Sequence, residues 1–315
     1  MAETGAYLAG AKPTTRAISK PSSKLNRFLG RTSTIAFFMT LPLMFVMATL
    51  VIYPAFYSVR LAMLDRPMVN FVGLDNFSFL LFRKPTFWRV VYNSVLFAVS
   101  FVICKAFFGF VIAHLLQNLP AKAQRGWRAA LLIPWVIPPA MSVLAWLWLF
   151  DSSFGALNWV LKTFGIGPVF WLGDVIWARS AVIVVSVWIG APFFMVIYLA
   201  ALKSVPEQLY EAAEIDGATW WQKLRFVTLP MTRHIIAITM LFSLIVSSGA
   251  FNVIQILTNG GPQNQTDTLA TWAFRVGLVS GDIPLGASIS LFTLPILALA
   301  AIFILRNVRE RGSEA

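Results

Sequence analysis

This chain of 315 residues has little of what metal sites, disulfide scaffolds and nucleotide sites are built from. One Cys and two His argue against a zinc site and leave no disulfide framework to form. No Gly-Lys pair occurs, so the phosphate-binding loop GxxxxGKS/T is absent. Charged residues make up only 12% of the chain, whereas 58% are hydrophobic and the mean hydropathy is +0.74. These values exclude an ordinary soluble domain and predict an integral membrane protein.

Long uncharged intervals are the main feature that is present. A bilayer core of about 30 Å requires roughly 20 apolar residues of helix. Six intervals reach this length, and only the second contains an ordinary charged residue, Lys105. The predicted fold class is therefore an all-α integral membrane protein with six transmembrane helices. The six intervals cover approximately residues 34–57, 90–116, 129–150, 180–202, 235–257 and 283–305.

These intervals divide the chain into three parts. Residues 1–32 are rich in Ser, Thr, Ala and Lys, which predicts a disordered basic tail. Residues 33–305 form the predicted membrane domain, including a charged loop at 203–234, and residues 306–315 form a second tail. Sixteen basic residues lie on the side of the two termini and eight lie on the other side. Because basic residues are retained in the cytoplasm, both termini are predicted to be cytoplasmic.

The loop between the fourth and fifth intervals carries its own start and turn signals. Ser204 with Glu207 and Thr219 with Gln222 both fit a capping box, which predicts two short helices. Asp216-Gly217 predicts the turn between them, because glycine readily takes a positive φ.

The first of these two helices is predicted to carry an acidic and aromatic face. Side chains spaced by three or four residues lie on one side of a helix. An acidic face on an otherwise basic inner surface favours a docking site over a merely solvated loop. The residues with this spacing are Glu207, Tyr210, Glu211 and Glu214.

The segment EAAEIDGATWWQKLRFVTLP resembles the EAA loop of permease subunits of ABC importers, in which EAA, a Gly and a Leu-Pro pair recur at fixed offsets. The matching residues are Glu211-Ala212-Ala213, Asp216-Gly217-Ala218 and Leu229-Pro230. Residues 71–77, 132–161 and 256–269 are similar to the sugar-importer branch, in particular to its maltose-type first permease. The resemblance covers residues from about 33 to 305. Leu224 departs from it, since an aromatic residue is usual there and a leucine could change the fit in the ATPase groove.

The resemblance implies a type I ABC importer permease fold with its work divided among subunits. The loop would form a coupling helix that inserts into a separate ATPase subunit. ATP and Mg would bind to that ATPase, so the chain is expected to be no enzyme by itself and to hold no cofactor or metal. The residues expected to couple to the ATPase are Glu207, Tyr210, Glu211, Ala212, Ala213, Asp216, Gly217, Leu229 and Pro230.

The resemblance also implies a heteromeric complex. Its expected members are a second homologous permease subunit, two ATPase subunits and an extracytoplasmic solute-binding protein. Membrane lipid is a further expected partner, and nucleic acid is not. The expected location is the bacterial cytoplasmic (inner) membrane, where the chain crosses several times.

Polar residues in the fourth and fifth intervals are candidates for lining a substrate path, because sugars are recognised by hydrogen bonds and by stacking on aromatic rings. The resemblance favours the same two helices. Helical spacing predicts that Ser248, Asn252 and Gln255 share one face. Each residue has the alternative of bonding between packed helices, at about 0.6 kcal/mol per bond. The predicted path residues are Ser186, Trp188, Gly190, Ser243, Ser247, Ser248, Asn252 and Gln255.

Three features of the second and third intervals need separate interpretation. No carboxylate lies in any interval to pair with Lys105, whose charge costs roughly 2.5–3.5 kcal/mol near the centre of a span. Lys105 could line a wet path, snorkel or contact the partner permease, and the partner interface is the preferred interpretation. His114 is interpreted as interface packing. Pro134, Pro138 and Pro139 predict bends in the third interval.

The sequence therefore predicts a permease subunit that forms half of the translocation path for a sugar or sugar derivative. An ABC permease for a non-sugar solute would share the loop motif and differ only in the three sugar-branch stretches. An ion-coupled secondary transporter should carry carboxylates within the membrane and paired broken helices, and neither is evident. The identity and charge of the sugar stay open, and Lys105 is compatible with an anionic derivative.

Overall fold

A computed structural model describes residues 32–248 and 250–310, and these residues are almost entirely helical. Within them, an isolated antiparallel bridge between Leu64 and Phe71 is the only strand-like pairing. The predicted tail at residues 1–32 lies, apart from Thr32, outside the described residues. The α-helices are α1 (Thr32–Met47), α2 (Tyr53–Ala62), α3 (Asp75–Ser78), α4 (Pro85–Gln117), α5 (Ala121–Val136), α6 (Pro139–Leu149), α7 (Ala156–Thr163), α8 (Val175–Lys203), α9 (Glu207–Ile215), α10 (Trp220–Lys223), α11 (Leu229–Ser248), α12 (Phe251–Leu257), α13 (Leu269–Phe274), α14 (Ile283–Leu291) and α15 (Thr293–Glu310).

Four wider π-helical turns continue these helices. One joins α1 to α2, one follows α3, one joins α10 to α11, and one follows α13. A continuous helix runs from α10 through α11 and leads from the charged loop into a membrane-crossing stretch. The π-helical turns are Ala48–Ile52, Phe79–Arg83, Leu224–Thr228 and Arg275–Val279.

Five described helical stretches are long and apolar enough to cross a membrane, and a sixth crossing results if α5 and α6 count as one broken span. The six predicted spans are confirmed in this sense. The third differs in shape, because α5 and α6 meet at 91°. Ile137 and Pro138 between them are extended, as expected for residues that each precede a proline. The five stretches are Ala36–Ala62, Pro85–Gln117, Val175–Lys203, Trp220–Ser248 and Ile283–Ile302.

The chain forms two compact units, Met1–Tyr57 and Ser58–Ala315. The described part of the first unit, residues 32–57, is helical and contains no charged residue. A helix that is apolar on every side requires lipid or protein around it.

In the second unit, α4 and α8 pack along each other and carry the core. Towards Lys203, the core is formed by Ala113 and Leu116 of α4 with Phe194 and Tyr198 of α8. Towards the other end of α8, aromatic and β-branched side chains of α4, α6, α8 and α12 form a second cluster. Lys105 of α4 lies in sequence between these two apolar regions. The C-terminal helix α15 runs to Glu310, so the described half of the predicted 306–315 tail is helical.

Candidate functional site

The charged loop folds into the predicted pair of helices, α9 and α10, here called the hairpin (residues 204–230). Its first predicted capping box is wrong. Helix α9 begins at Glu207 and its N-cap is Pro206, which has no side-chain acceptor. Ser204 instead follows the last turn of α8, where its Oγ donates to the Ala201 carbonyl at 2.7 Å. The preceding helix therefore uses the hydroxyl that the pattern assigned to α9.

The turn and the second capping box are confirmed. Thr219 N donates to Gln222 Oε1 at 2.7 Å, and Gln222 N donates to Thr219 Oγ1 at 3.4 Å. Gly217 has φ +72°, a left-handed backbone conformation that residues with a Cβ rarely adopt. The backbone at this point closes the turn, since Ala218 N donates to the Ala213 carbonyl at 2.8 Å.

The predicted acidic face is divided between two roles. Glu207 and Glu211 are exposed, as are Ala212 and Asp216. By contrast, the Tyr210 hydroxyl lies 3.0 Å from Thr228 Oγ1. The exposed carboxylates of Glu207 and Glu211 can therefore contact a basic surface on another protein.

The other acidic residue of the face, Glu214, is exposed as well, but it pairs with a residue of the hairpin itself. Its carboxylate accepts from Lys223 Nζ at 2.7 Å, which joins α9 to α10. Leu224 is 8% exposed and packs within the chain, which argues against the expected effect of this residue in an ATPase groove. Leu229 and Pro230 remain exposed at the start of α11.

The hairpin is also attached to α4, through a contact that the sequence did not indicate. The indole N–H of Trp220 donates to His114 Nε2 at 3.0 Å, and the two rings lie 5.5 Å apart. An indole N–H can only donate, so this nitrogen of His114 is an unprotonated acceptor. Gln117 lies 2.9 Å from the other ring nitrogen of His114. A cavity of about 380 Å³ lies beside this contact, between the hairpin and the ends of α4 and α8.

Within the membrane helices, Lys105 lies inside the chain and not at the preferred partner interface. It is 9% exposed, and its Nζ donates to Ser247 Oγ of α11 at 3.0 Å. Ser243 Oγ lies 3.5 Å from Ser247 Oγ, so these two serines do stack on one face of α11. Gly190 of α8 lies against the lysine side chain. The structure thus groups three predicted path residues around Lys105.

The predicted common face of Ser248, Asn252 and Gln255 is wrong, because the fifth span is not one helix. Helix α11 ends at Ser248 and α12 begins at Phe251, while Ala250 has a non-helical ψ of 49°. Ser248 therefore belongs to one helix, whereas Asn252 and Gln255 belong to the next. Asn252 is exposed, and Gln255 donates to Asn259 Oδ1 at 2.8 Å.

The two remaining path candidates lie on α8, which continues without interruption to Lys203. Ser186 is buried, whereas Trp188 is half-buried and packs edge-on against Trp146 at 5.8 Å. Burial within this chain suits Ser186 to helix packing, and partial exposure leaves Trp188 available to a ligand.

At the end of α8 opposite the hairpin, a buried ion pair fixes the loop between α12 and α13. Arg275 donates to both carboxylate oxygens of Asp267 at 2.8 Å, and Asp267 is fully buried. Burial raises the pKa of Asp267, and the guanidinium of Arg275 opposes that rise. Asn93 of α4 donates to the Asp267 carbonyl at 3.0 Å and accepts from Arg179 of α8 at 2.8 Å. The sequence did not indicate this network, because Asn93 and Arg179 lie far from the loop in the chain.

Among the described residues, no group of three or more His, Cys, Asp or Glu side chains is placed to hold a metal ion. The polar groups are instead distributed over three sites: the hairpin, the Lys105 cluster and the Asp267 network.

Known proteins resemble this chain over most of its length. A family model for the inner membrane component of binding-protein-dependent transport systems matches residues 105–309. The trehalose/maltose transport system permease protein MalF of Thermococcus litoralis is 32% identical over 285 residues, which cover 89% of this chain and 96% of that protein. The sulfoquinovosyl glycerol transport system permease protein SmoG of Agrobacterium fabrum is 30% identical over 276 residues, or 88% of each chain.

A solved structure shows the same fold. In the crystal structure of a bacterial ABC transporter involved in the import of the acidic polysaccharide alginate, one chain matches with a TM-score of 0.78 at 22% identity. The match covers 88% of this chain and 95% of that one. Sequence and structure together show that this chain belongs to the family of inner membrane components of binding-protein-dependent transport systems, as its hairpin motif predicted.

Proposed function

We propose that this chain is one of two homologous permease subunits of an ABC importer and forms half of its path for a sugar or sugar derivative. Family membership supports the permease function. The names of the relatives, which refer to trehalose, maltose and sulfoquinovosyl glycerol, support a saccharide substrate. The chain itself would not hydrolyse ATP, since the ATP and Mg sites are expected on a partner ATPase.

The geometry of the hairpin is the observation that carries this proposal. Glu207 and Glu211 are exposed, while Tyr210 and the likewise exposed Glu214 bond to other residues of the hairpin. The hairpin is joined directly to α8 and α11, both of which belong to membrane-crossing stretches. An ATPase that grips the exposed acidic face could therefore move two membrane helices at once. A contact with the ATPase shifts the conformational equilibrium of the permease only if its strength differs between the two conformations. A hairpin that is held in shape by a capping box and an ion pair can transmit such a difference to the membrane helices.

The proposed assembly contains this chain, a second permease, two ATPase subunits and an extracytoplasmic solute-binding protein, surrounded by lipid and without nucleic acid. In this arrangement both termini and the hairpin lie in the cytoplasm. The excess of basic residues on that side supports this orientation. The loop that Asp267 and Arg275 fix would then face the solute-binding protein.

Three of the predicted path residues fit substrate contact best. Trp188 is half-buried and offers an aromatic face, and Asn252 is exposed. Ser248 is the third of these residues: it is half-buried at the end of α11, next to the break between α11 and α12. Gln255 fits less well, because its Oε1 is enclosed by protein and its Nε2 already donates to Asn259.

The proposal is tested with Glu211→Lys in cells that contain the whole transporter. We expect the variant to insert normally, to lose the ATPase subunit on purification and to lose ATP-dependent uptake. Lys162→Glu is the matched control, because it also reverses one exposed charge but lies on α7, which is extracytoplasmic in the proposed orientation. Wild-type uptake by Glu211→Lys would refute the proposed docking.

The substrate class is tested on the solute-binding protein encoded with this chain. A thermal-shift screen against disaccharides, oligosaccharides, anionic sugar derivatives, amino acids and oligopeptides should show stabilisation by a saccharide. Stabilisation by an amino acid or a peptide alone would favour the alternative of a non-sugar permease.

A further inference from the structure

Lys105 is placed where its charge cannot reach the ends of the membrane helices. It lies twenty residues after the first residue of α4 and twelve before the last. At 1.5 Å per residue, the nearer end of the helix is about 18 Å away along the axis. The four-carbon stem of a lysine is too short to span that distance. Snorkelling to the membrane surface therefore does not explain this residue.

The side chain instead touches three helices inside the chain. Nζ donates to Ser247 Oγ on α11 at 3.0 Å and lies 5.2 Å from the centre of the Phe101 ring on α4. On α8, Gly190 provides the space for it. A Cβ at Gly190 would lie 2.6 Å from Cε and 2.8 Å from Cδ of Lys105. The glycine therefore lets α8 approach the lysine stem closely.

The charge of Lys105 has no carboxylate partner in the described membrane-crossing stretches, none of which contains Asp or Glu. Its partners are a hydroxyl and an aromatic ring. A buried charge without a counterion is costly, and an apolar residue of similar length would avoid that cost. Packing alone thus gives no reason for a lysine at this position.

The helices that Lys105 joins explain what the residue does. The hairpin connects α8 to α11, so these two helices receive any movement of the hairpin. Ser247 is the penultimate residue of α11, immediately before the break that separates α11 from α12. One side chain thus connects α4 and α8 to the point where α11 ends and the helix with Asn252 and Gln255 begins.

We propose that Lys105 is a positioning residue for coupled transport, which holds the end of α11 against α4 and α8 through Ser247 and Gly190. When the hairpin moves, the end of α11 then moves together with α4 and α8, and the displacement is transmitted to the break before α12. This assignment gives Gly190, Ser243 and Ser247 a supporting role around Lys105 and not a contact with substrate. It rests on the permease function proposed above.

The test uses the whole transporter, with its second permease and ATPase subunits, reconstituted in lipid nanodiscs. MgATP hydrolysis is measured with and without the solute-binding protein, which requires no knowledge of the sugar. Lys105→Met keeps the length of the side chain and removes its charge and donor. We expect the stimulation of hydrolysis by the binding protein to fall about threefold or more. A purely structural role would lower both rates in proportion and leave their ratio unchanged.

Two further substitutions test whether Lys105 acts through its neighbours. Ser247→Ala should lower the stimulation as Lys105→Met does, and the double variant should lose no more than either single one. Gly190→Ala should lower the stimulation of hydrolysis when Lys105 is present. In a Lys105→Ala chain, which has room for the added methyl group, Gly190→Ala should cause no further loss. Ser180→Ala is the control, since its hydroxyl donates only within α8, to the Ile176 carbonyl at 2.9 Å. These variants decide the matter also where Lys105→Met fails to assemble.

The outcomes separate the two proposals. A wild-type complex that the binding protein does not stimulate would overturn the proposed function and this inference with it. Normal wild-type stimulation with an unchanged ratio in Lys105→Met, or additive losses in the double variant, would overturn the role of Lys105 alone.

Discussion

The hairpin and the interior of the membrane helices differ in the range of the interactions that hold them. In the hairpin, Thr219 pairs with Gln222, three residues away, and Lys223 pairs with Glu214, nine residues away. In the interior, Lys105 and Ser247 are 142 residues apart. Local signals therefore build the hairpin that we propose to dock on the ATPase, whereas long-range packing decides which polar groups meet between the membrane helices.

This difference has a functional meaning. A docking element must keep its shape while its partner moves, and capping and a fixed turn provide this within a few residues. The membrane helices pack mainly through apolar side chains, and polar contacts such as that of Lys105 with Ser247 join separate elements. The contact between Trp220 and His114 connects the two kinds of region.

The largest expected effect follows from changing the turn of the hairpin. Gly217→Pro replaces a residue at φ +72° by one fixed near −65°, and it removes the Gly217 N–H that donates to Glu214. We expect normal insertion and a loss of uptake of about tenfold or more, measured with labelled sugar in whole cells. Gly217→Ala should lose much less, since one residue in the left-handed region costs about 1–2 kcal/mol. Equal uptake by both variants would mean that the shape of the turn does not matter.

A smaller effect is expected from the buried ion pair at the opposite end. Asp267→Asn leaves Arg275 without its carboxylate, and breaking such a pair costs about 3–5 kcal/mol. The purified complex should therefore unfold at a clearly lower temperature. Arg66→Gln is the matched comparison, because its contact with Asp282 is 3.9 Å long and Arg66 is 69% exposed. Such an exposed pair is worth about 1 kcal/mol or less. Similar losses in both variants would contradict the proposed importance of burial.

Trp220→Phe tests the connection between the two regions. The variant keeps a ring beside His114 and loses one hydrogen bond, worth about 0.5–1.5 kcal/mol. We expect about threefold more ATP hydrolysed per sugar imported. Trp221→Phe is the control, since the Trp221 indole has no hydrogen-bond partner within the described part of the chain and is 60% exposed. If both variants behave alike, the contact with His114 carries no coupling.

The smallest effect distinguishes the two predicted caps. Thr219→Ala removes a cap and should cost about 1 kcal/mol, whereas Ser204→Ala removes none. Hydrogen exchange of the amides at 220–222 should therefore speed up in the first variant and stay unchanged at 207–209 in the second. Faster exchange at 207–209 in Ser204→Ala would restore the cap that the pattern predicted.

Much of the fold could be predicted because its signals are short. Runs of uncharged residues gave six spans, and consecutive prolines explained the sharp bend between α5 and α6. The predicted continuity of the fifth span was wrong, since no proline marks the break between Ser248 and Phe251. Hydropathy contains no information about such a break, because the residues on both sides of it are apolar enough to belong to one span.

The sequence by itself determined the class of protein, the membrane-crossing stretches and the shape of the hairpin, because hydrophobic length, caps and a glycine turn act over a few neighbouring residues. Only the tertiary structure decided that Lys105 meets Ser247, that His114 meets Trp220 and that Arg275 meets Asp267 beside Asn93 and Arg179. Each of those contacts except the ion pair joins helices distant in the chain. Such contacts depend on how whole helices pack, which no local pattern of residues specifies.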